Sequence, residues 1–110
     1  MERKVYIQEK FKVDAKRIHD YIKKESPQNA KKFKQELPKQ MEKIEKHPQS
    51  FSLIDYDDFD NSSQEYRYSH FMKTFKIIYK LPVNFLIYLG IIHDKQDVKA
   101  IKDIQKAEEV

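Results

Sequence analysis

The sequence predicts an α+β domain in which two helices pack on one face of a small sheet. Two amphipathic segments lie between a short N-terminal strand pattern and three strand-like runs, and this order is typical of the α+β class. Each connection between the three runs holds three residues, Met72-Lys73-Thr74 and Pro82-Val83-Asn84, so the runs should form antiparallel hairpins. The length of 110 residues predicts a single domain, residues 1–110.

The N-terminal part of the chain predicts a strand followed by a helical hairpin. Residues 4–8 alternate weakly and contain β-formers, which predicts a strand within residues 1–8. From residue 9 onward, apolar side chains recur at helical spacing. They are Phe11, Ala15, Ile18, Tyr21 and Ile22, followed by Ala30, Phe33, Leu37, Met41 and Ile44. Ser26 and Pro27 suit the N-cap and first position of the second helix, and His47-Pro48 ends it, so the hairpin covers residues 9–47.

The second half of the chain predicts a three-stranded antiparallel meander over residues 65–92. A polar, acidic loop precedes it, with a partial strand near residues 51–54. The predicted strands are 65–71, 75–81 and 85–92, and the last is nearly all apolar, as in a strand covered on both faces. Residues 97–108 predict a polar C-terminal helix.

Composition excludes several functional classes. The chain has no cysteine, which excludes disulfide scaffolds, thiol chemistry and Cys-ligated metals, and one glycine, which excludes glycine-rich nucleotide-binding loops. No apolar run approaches the roughly 18 residues of a membrane span, and we expect a soluble cytoplasmic domain without metal or cofactor. The net charge of +4 favours an anionic partner.

The register of the first hairpin decides which side chains share a face, because the side-chain period of a strand is two. An even loop places Ser69 opposite Lys76. The face toward the helices then carries Tyr66, Tyr68, His70, Phe75, Ile77 and Tyr79, and the face away from them carries Arg67, Ser69, Phe71, Lys76, Ile78 and Lys80. An odd loop instead groups Arg67 with Ile77 and Tyr79. The even register separates core from surface more cleanly, and it is the one we predict. Arg67 and Lys76 would then be close enough to bind one anionic group together. The alternative is that they belong to an ordinary solvated face of the sheet.

Three stretches resemble the RelE/ParE toxin superfamily. Asp20-Tyr21-Ile22, the segment from Ser26 to Ala30 with Phe33, and His47-Pro48 are similar to its helical hairpin. Residues 66–71 and 75–79 resemble its central hairpin, and residues 91–97 resemble its closing stretch. The resemblance covers residues 4–98 and implies the RelE/ParE-like fold, with a helical hairpin closer to ParE-like members.

The resemblance implies a toxin of a bacterial type II toxin–antitoxin (plasmid stabilisation) system, blocked by a cognate antitoxin. ParE-like members inhibit DNA gyrase, whereas RelE-like members cut mRNA in the ribosomal A site. The ParE-like interpretation is favoured. Two alternatives stay open, a ribosome-dependent endoribonuclease and a degenerate non-toxic relative. Whether the protein is an enzyme therefore also stays open. We expect a disordered, acidic antitoxin segment to bind the protein. Phe71 and Ile78, expected on the outer face, would offer it apolar contacts, and the positive net charge would attract it.

The same resemblance implies candidate site residues. Arg67 and Lys76 take the positions of two cations of RelE-like toxins, and His93 lies in the closing stretch, where some relatives have a histidine. The ribonuclease set is incomplete: Ser69 stands at a lysine position, Gln96 is the nearest match to an arginine, and the terminal tyrosine is missing. We expect the candidate catalytic residues Arg67, Lys76 and His93 to converge at one end of the sheet. Candidates for binding nucleic acid or another target are Lys73, Lys80 and Lys95.

Overall fold

The computed structural model describes residues 3–54 and 65–94 of the chain. The elements are β1 (Lys4–Ile7), α1 (Glu9–Glu25), α2 (Pro27–Lys46), β2 (Ser52–Leu53), β3 (Glu65–Phe71), β4 (Phe75–Leu81) and β5 (Phe85–His93). The helices pack on one face of the sheet, so the α+β class and the RelE/ParE-like arrangement are confirmed. The helix predicted at residues 97–108 lies outside the described residues. None of the described helices is long and apolar enough to cross a membrane.

One residue, Ser26, joins the two helices. Its N–H closes α1 by donating to Ile22 O (2.8 Å), and its Oγ caps α2 by accepting from the N–H of Asn29 (3.2 Å). Pro27 follows at the first helical position, where a missing N–H has no consequence. The predicted apolar stripes of both helices face the sheet, except that Tyr21 is 66% exposed.

The described strands form a mixed sheet in the order β1-β5-β4-β3-β2. The predicted antiparallel pairings of β3 with β4 and of β4 with β5 are confirmed. β1 pairs in parallel with β5, from Lys4 opposite Phe85 to Ile7 opposite Tyr88. The Arg3 guanidinium strengthens this junction by donating to the carbonyl oxygens of Pro82 (3.0 Å) and Phe85 (3.3 Å).

The predicted register of the first hairpin is wrong. Phe71 lies opposite Phe75 and His70 opposite Lys76, because all three residues 72–74 stay in the loop. Met72 and Lys73 both adopt left-handed backbone conformations, with φ of 53° and 60°, to make that turn. The helix side of the two strands therefore carries Arg67, Ser69, Phe71, Phe75, Ile77 and Tyr79. The outer side carries Tyr66, Tyr68, His70, Lys76, Ile78 and Lys80.

Two buried clusters lie on the two faces of the sheet. The helix-side cluster joins Phe11, Ile18, Phe33 and Ile44 of the helices to Phe71, Ile77, Tyr79, Leu81, Leu86, Tyr88 and Ile91 of the strands. The outer cluster contains Ile54, Tyr66, Ile78, Leu89 and Ile92. β5 contributes to both clusters, as its apolar sequence predicts. Phe71 (4% exposed) and Ile78 (1%) are buried, which corrects the expectation that they remain available to a partner.

Buried tyrosine hydroxyls hold the end of the sheet where α2 terminates. The Tyr79 hydroxyl donates to Pro48 O (2.7 Å). The Tyr88 hydroxyl lies 3.0 Å from Met41 O and 2.8 Å from a Glu45 carboxylate oxygen. Burial raises the pKa of both tyrosines well above the ordinary value, and the Glu45 carboxylate raises that of Tyr88 further. We call this region, defined by Tyr79, Tyr88 and the last turns of α2, the anchored end.

A buried carboxylate on α1 completes the edge of β5 beyond the last residue of β1. The side chain of Asp14 accepts a hydrogen bond from the N–H of Ile91 (3.0 Å). Lys10 (2.9 Å) and Arg17 (3.5 Å) balance its charge from the same helix. Because β1 ends at Ile7, opposite Tyr88, Asp14 takes the place of a longer neighbouring strand and satisfies a buried donor.

Candidate functional site at the turn end of the sheet

Arg67 lies on the helix side of β3 and is bound within the fold. Its Nε donates to a Glu65 carboxylate oxygen (2.9 Å), and its Nη1 donates to Phe51 O (2.6 Å). The side chain is 15% exposed. The guanidinium therefore joins β3 to Phe51, the residue before β2. Its hydrogen-bonding partners are groups of the protein itself, a carboxylate and a backbone carbonyl.

Lys76 lies on the opposite face of the sheet. Its Nζ is 3.6 Å from the Asp94 carboxylate and 4.9 Å from the centre of the Tyr68 ring. His70 Nδ1 lies 3.5 Å from the same carboxylate oxygen, and its ring packs edge-on against Tyr68. His70, expected to face the core, is instead largely exposed. We call Tyr68, His70, Lys76 and Asp94 the outer polar cluster.

His93 lies at the end of β5, directly opposite Phe75. The two rings pack edge-to-face with centres 6.0 Å apart. Since Arg67 and Lys76 occupy opposite faces, the three predicted catalytic residues do not converge on one point, and that expectation is wrong. What each of them does in the protein's activity stays a prediction.

The other predicted cations are spread along the described hairpin. Lys73 is exposed at the tip of the β3–β4 turn. Lys80 lies on the outer face toward the far end of β4, opposite Tyr66. Lys95 lies outside the described residues. Of the two that the structure describes, Lys73 lies at the turn that precedes Phe75, the residue opposite His93, and Lys80 lies toward the other end of β4.

An open groove of about 610 Å³ separates α1 from the β3–β4 turn. Apolar side chains form its floor: Ile18, Ile22, Met72, Phe75 and Ile91. Its rim is polar and carries Arg17, Tyr21, Glu25, Lys32 and His93. We call it the α1 groove, and we call this groove together with the turn and the outer polar cluster the turn end.

The turn end is suited to binding more than to acid–base chemistry. A phosphoryl-transfer site needs cations and a proton donor directed at one point. Here the groove offers an apolar floor with Arg17 and Lys32 on its rim, while Lys76 and His70 both face Asp94 on the other side of the sheet. Sequence reasoning missed Tyr21, which it placed in the core, and His70. The odd length of the 72–74 loop was the signal that could have placed His70 correctly.

Comparison with protein families agrees with this fold. The family model described as the ParE toxin of the parDE type II toxin–antitoxin system matches residues 5–109. The chain belongs to the ParE toxin family. No curated protein matches it.

Family membership makes the chain a ParE-like toxin, as the resemblance predicts, and it implies an antitoxin partner. For this ParE-family toxin, the features that a partner or target can reach at the turn end are the α1 groove, the exposed Lys73 and the outer polar cluster.

Proposed function

We propose that this ParE-family toxin arrests bacterial growth by binding and inhibiting DNA gyrase, and that its cognate antitoxin blocks it. The observation that carries the proposal, beside the family match, is the separation of the candidate catalytic residues onto two faces. An inhibitor that acts by binding needs an accessible surface, and the turn end offers one. Gyrase works in the cytoplasm, so we propose that location for the toxin too.

The separation matters because RNA cleavage concentrates charge on one phosphate. Cations must stabilise that charge while a neighbouring group moves a proton. Arg67 is bonded to Glu65 and Phe51 O on the helix side, and Lys76 is paired with Asp94 on the outer side. A phosphate cannot contact both guanidinium and ammonium groups through the sheet.

A RelE-like ribonuclease is the second candidate, and the outer polar cluster is what favours it. His70 has a carboxylate at its Nδ1, and Lys76 lies directly opposite it on the neighbouring strand. Such a histidine is oriented for proton transfer. The Asp94 carboxylate, however, already lies between the His70 ring and the Lys76 ammonium group, the position that a phosphate would take.

Two assays on the purified toxin separate these functions. We expect inhibition of gyrase-catalysed supercoiling, and no A-site cleavage when ribosomes translating a defined mRNA are incubated with the protein. In cells, induction should cause filamentation and an SOS response. Cleavage without gyrase inhibition would favour the ribonuclease, and the absence of both activities with unaffected growth would indicate a non-toxic relative.

Alanine variants then locate the binding surface. Lys73→Ala and Lys76→Ala should weaken gyrase inhibition severalfold, whereas Lys39→Ala, an exposed lysine on α2, is the matched control. Loss of one catalytic contact would instead lower a cleavage rate by about 10²–10³-fold. Full activity of both turn-end variants would move the gyrase surface elsewhere on the protein.

A further inference from the structure

Positive charge is concentrated near the junction of the two helices. Residues 16–34 contain seven lysine or arginine residues and two acidic residues, a net charge of +5 in a chain whose total is +4. The rest of the sequence therefore has a net charge of −1. The positive charge that favours an anionic partner is carried by this one stretch, which contains the end of α1 and the start of α2.

Four lysines of this stretch form two short rows on the solvent side of the helices. Lys16 and Lys23 are seven residues apart on α1, which places them within about 20° of each other around the helix axis. Lys31 and Lys34 are three residues apart on α2 and share one side of that helix in the same way. All four side chains are exposed. We call these four lysines the basic face.

The two rows of the basic face lie next to each other. One residue, Ser26, joins the helices, so α1 and α2 run antiparallel side by side. On α1 the half-buried His19 lies between the apolar stripe and the lysines, and on α2 the buried Ala30 takes the corresponding position. These buried flanks are the ones in contact, and the lysines lie just outside that contact. Because packed helix axes are about 8–10 Å apart, the four ammonium groups share one surface.

The lysines of the basic face have no carboxylate partner among residues 3–54 and 65–94. Other lysines of α2 do have one: Lys39 lies 3.7 Å from Glu36, and Lys46 lies 2.9 Å from Glu42. Asp20, the acidic residue on the same side of α1, lies against the neighbouring histidine instead (3.4 Å). Four unpaired like charges on one surface repel one another, and a bound anion would relieve that repulsion.

The surroundings of these lysines fit a phosphate backbone better than a protein or a lipid bilayer. Protein interfaces are enriched in aromatic residues and depleted in lysine, and membrane-bound helices insert apolar side chains. The exposed large apolar residues of the two helices are Val13 and Tyr21. Tyr21 lines the α1 groove on the other flank of α1, and Val13 lies beyond Lys16, away from the helix junction. The basic face therefore offers flexible point charges without an apolar anchor, as non-specific phosphate contacts require.

We propose that the basic face binds the phosphate backbone of duplex DNA without reading its sequence. Lys16 and Lys23 are about 10 Å apart along α1, about three base-pair steps of 3.4 Å, so each reaches a separate phosphate. Lys31 and Lys34 add two contacts from α2. The choice of DNA over RNA rests on the proposed function, since gyrase acts on duplex DNA; the phosphate contacts do not. Bound in this way, the toxin is held on the substrate of the enzyme that it inhibits.

The salt dependence of DNA binding tests the proposal. The probe is a fluorescently labelled duplex of about 20 base pairs, titrated with the purified toxin and followed by anisotropy. Four phosphate contacts predict a slope of about −3.6 in log K against log salt concentration, so affinity should fall roughly a hundredfold between about 50 and 200 mM salt. Duplexes of unrelated sequence should bind equally well. No binding at the lower salt concentration, or a slope near zero, would overturn the proposal.

Two double variants with the same net charge locate the contacts. Lys23→Ala with Lys31→Ala should weaken DNA binding at least about tenfold and bring the slope about two closer to zero. The control, Lys39→Ala with Lys46→Ala, removes two paired lysines nearer the other end of α2. It should leave the slope unchanged and the affinity within about threefold. Equal effects of the two double variants would show that net charge alone attracts DNA, which would overturn the basic face as the site.

A charge-conserving variant separates loss of charge from loss of structure. Lys23→Arg with Lys31→Arg keeps both positive charges at exposed positions and should bind DNA as the wild type does. If this variant binds as weakly as the double alanine variant, the lysines do not act through their charge, and the proposal is wrong.

Two competing ligands decide which anionic partner the basic face prefers. Duplex RNA of the same length should bind no more tightly than DNA, and tighter binding of RNA would overturn the assignment to DNA. Vesicles of phosphatidylcholine with about 30% phosphatidylserine should not displace the labelled duplex. Displacement by the vesicles would overturn the proposal in favour of a membrane surface.

The gyrase assay keeps this proposal distinct from the proposed function. A toxin that inhibits gyrase but does not bind the duplex would contradict the DNA site and leave the proposed function intact. A toxin that binds the duplex through the basic face but does not inhibit gyrase would leave the phosphate contacts intact and contradict the proposed function.

Discussion

The two ends of the sheet are built from different kinds of contact. At the anchored end, buried hydroxyls of Tyr79 and Tyr88 make directional hydrogen bonds to the last turns of α2 and to Pro48. At the turn end, Phe33 packs against Phe71 (5.5 Å between ring centres) and Phe75 (6.0 Å), beside an open groove and a left-handed turn. Directional contacts fix one arrangement of helix and sheet, whereas the turn end combines apolar packing with accessible surface, as a binding site requires.

The largest expected effect concerns the aromatic packing at the turn end. Phe33→Ala should lower the free energy of unfolding by about 4 kcal/mol, because it removes a buried ring from between the helices and the hairpin. Denaturant unfolding measures it, and Phe33→Leu, which keeps most of the volume, should cost clearly less. A loss below about 1 kcal/mol for the alanine variant would mean that the turn end depends little on this packing.

Alkaline pH should weaken the anchored end selectively. The pKa of Tyr79 and Tyr88 is raised in the folded state above the ordinary tyrosine value of 10.0, so above pH 10 the unfolded chain releases protons that the folded chain keeps. Stability then falls with pH, and the slope approaches about 1.4 kcal/mol per pH unit for each tyrosine as the unfolded chain becomes fully deprotonated. Tyr79→Phe and Tyr88→Phe should each flatten the curve of unfolding free energy between pH 10 and 11. Curves parallel to that of the wild type would contradict this assignment.

Asp14 connects the helix to β5 between the two ends, and its loss should have an intermediate effect. Asp14→Ala leaves the Ile91 N–H buried without an acceptor, which should cost about 2 kcal/mol. Asp14→Asn keeps an acceptor oxygen and should cost less. Chemical unfolding gives the two values, and exchange of the Ile91 amide should accelerate in the alanine variant; identical values for both variants would exclude the hydrogen bond as the cause.

The smallest expected effect is a gain in stability. Lys73 has φ of 60°, a region that costs a residue with a Cβ about 1 kcal/mol and costs glycine much less. Lys73→Gly should therefore stabilise the protein by about 1 kcal/mol, while Lys73→Ala should leave stability nearly unchanged. Thermal unfolding compares the two. A glycine variant no more stable than the alanine variant would show that the turn stores no strain.

The elements and their order could be predicted because they depend on local patterns. Ser26-Pro27 marks the helix junction, and the bounds of β3 and β4 agree with the prediction residue by residue. The apolar run of β5 likewise indicated burial on both faces. Each of these signals is contained in a few neighbouring residues.

The site could not be predicted because it depends on the hairpin register and on distant partners. Placing the Arg67 cation on the outer face separated charged from apolar side chains more cleanly. In the structure, however, its guanidinium lies on the helix side, where the Glu65 carboxylate and Phe51 O accept its hydrogen bonds. Asp14 lies outside the apolar stripe of α1, and its partner, Ile91, lies 77 residues away. One residue of register moves every side chain of a strand to the other face, so a single error displaced the whole predicted cluster.

The parallel pairing of β1 with β5 also has a consequence for how the toxin is made. β1 must wait for β5, about 80 residues later in synthesis, before it gains its neighbour in the sheet. Contacts this distant in sequence close late and slow folding. The α1 groove uses Ile91 and His93 of β5. A nascent chain that lacks β5 therefore lacks the α1 groove, and the binding surface proposed at the turn end forms only after β5 has been synthesised.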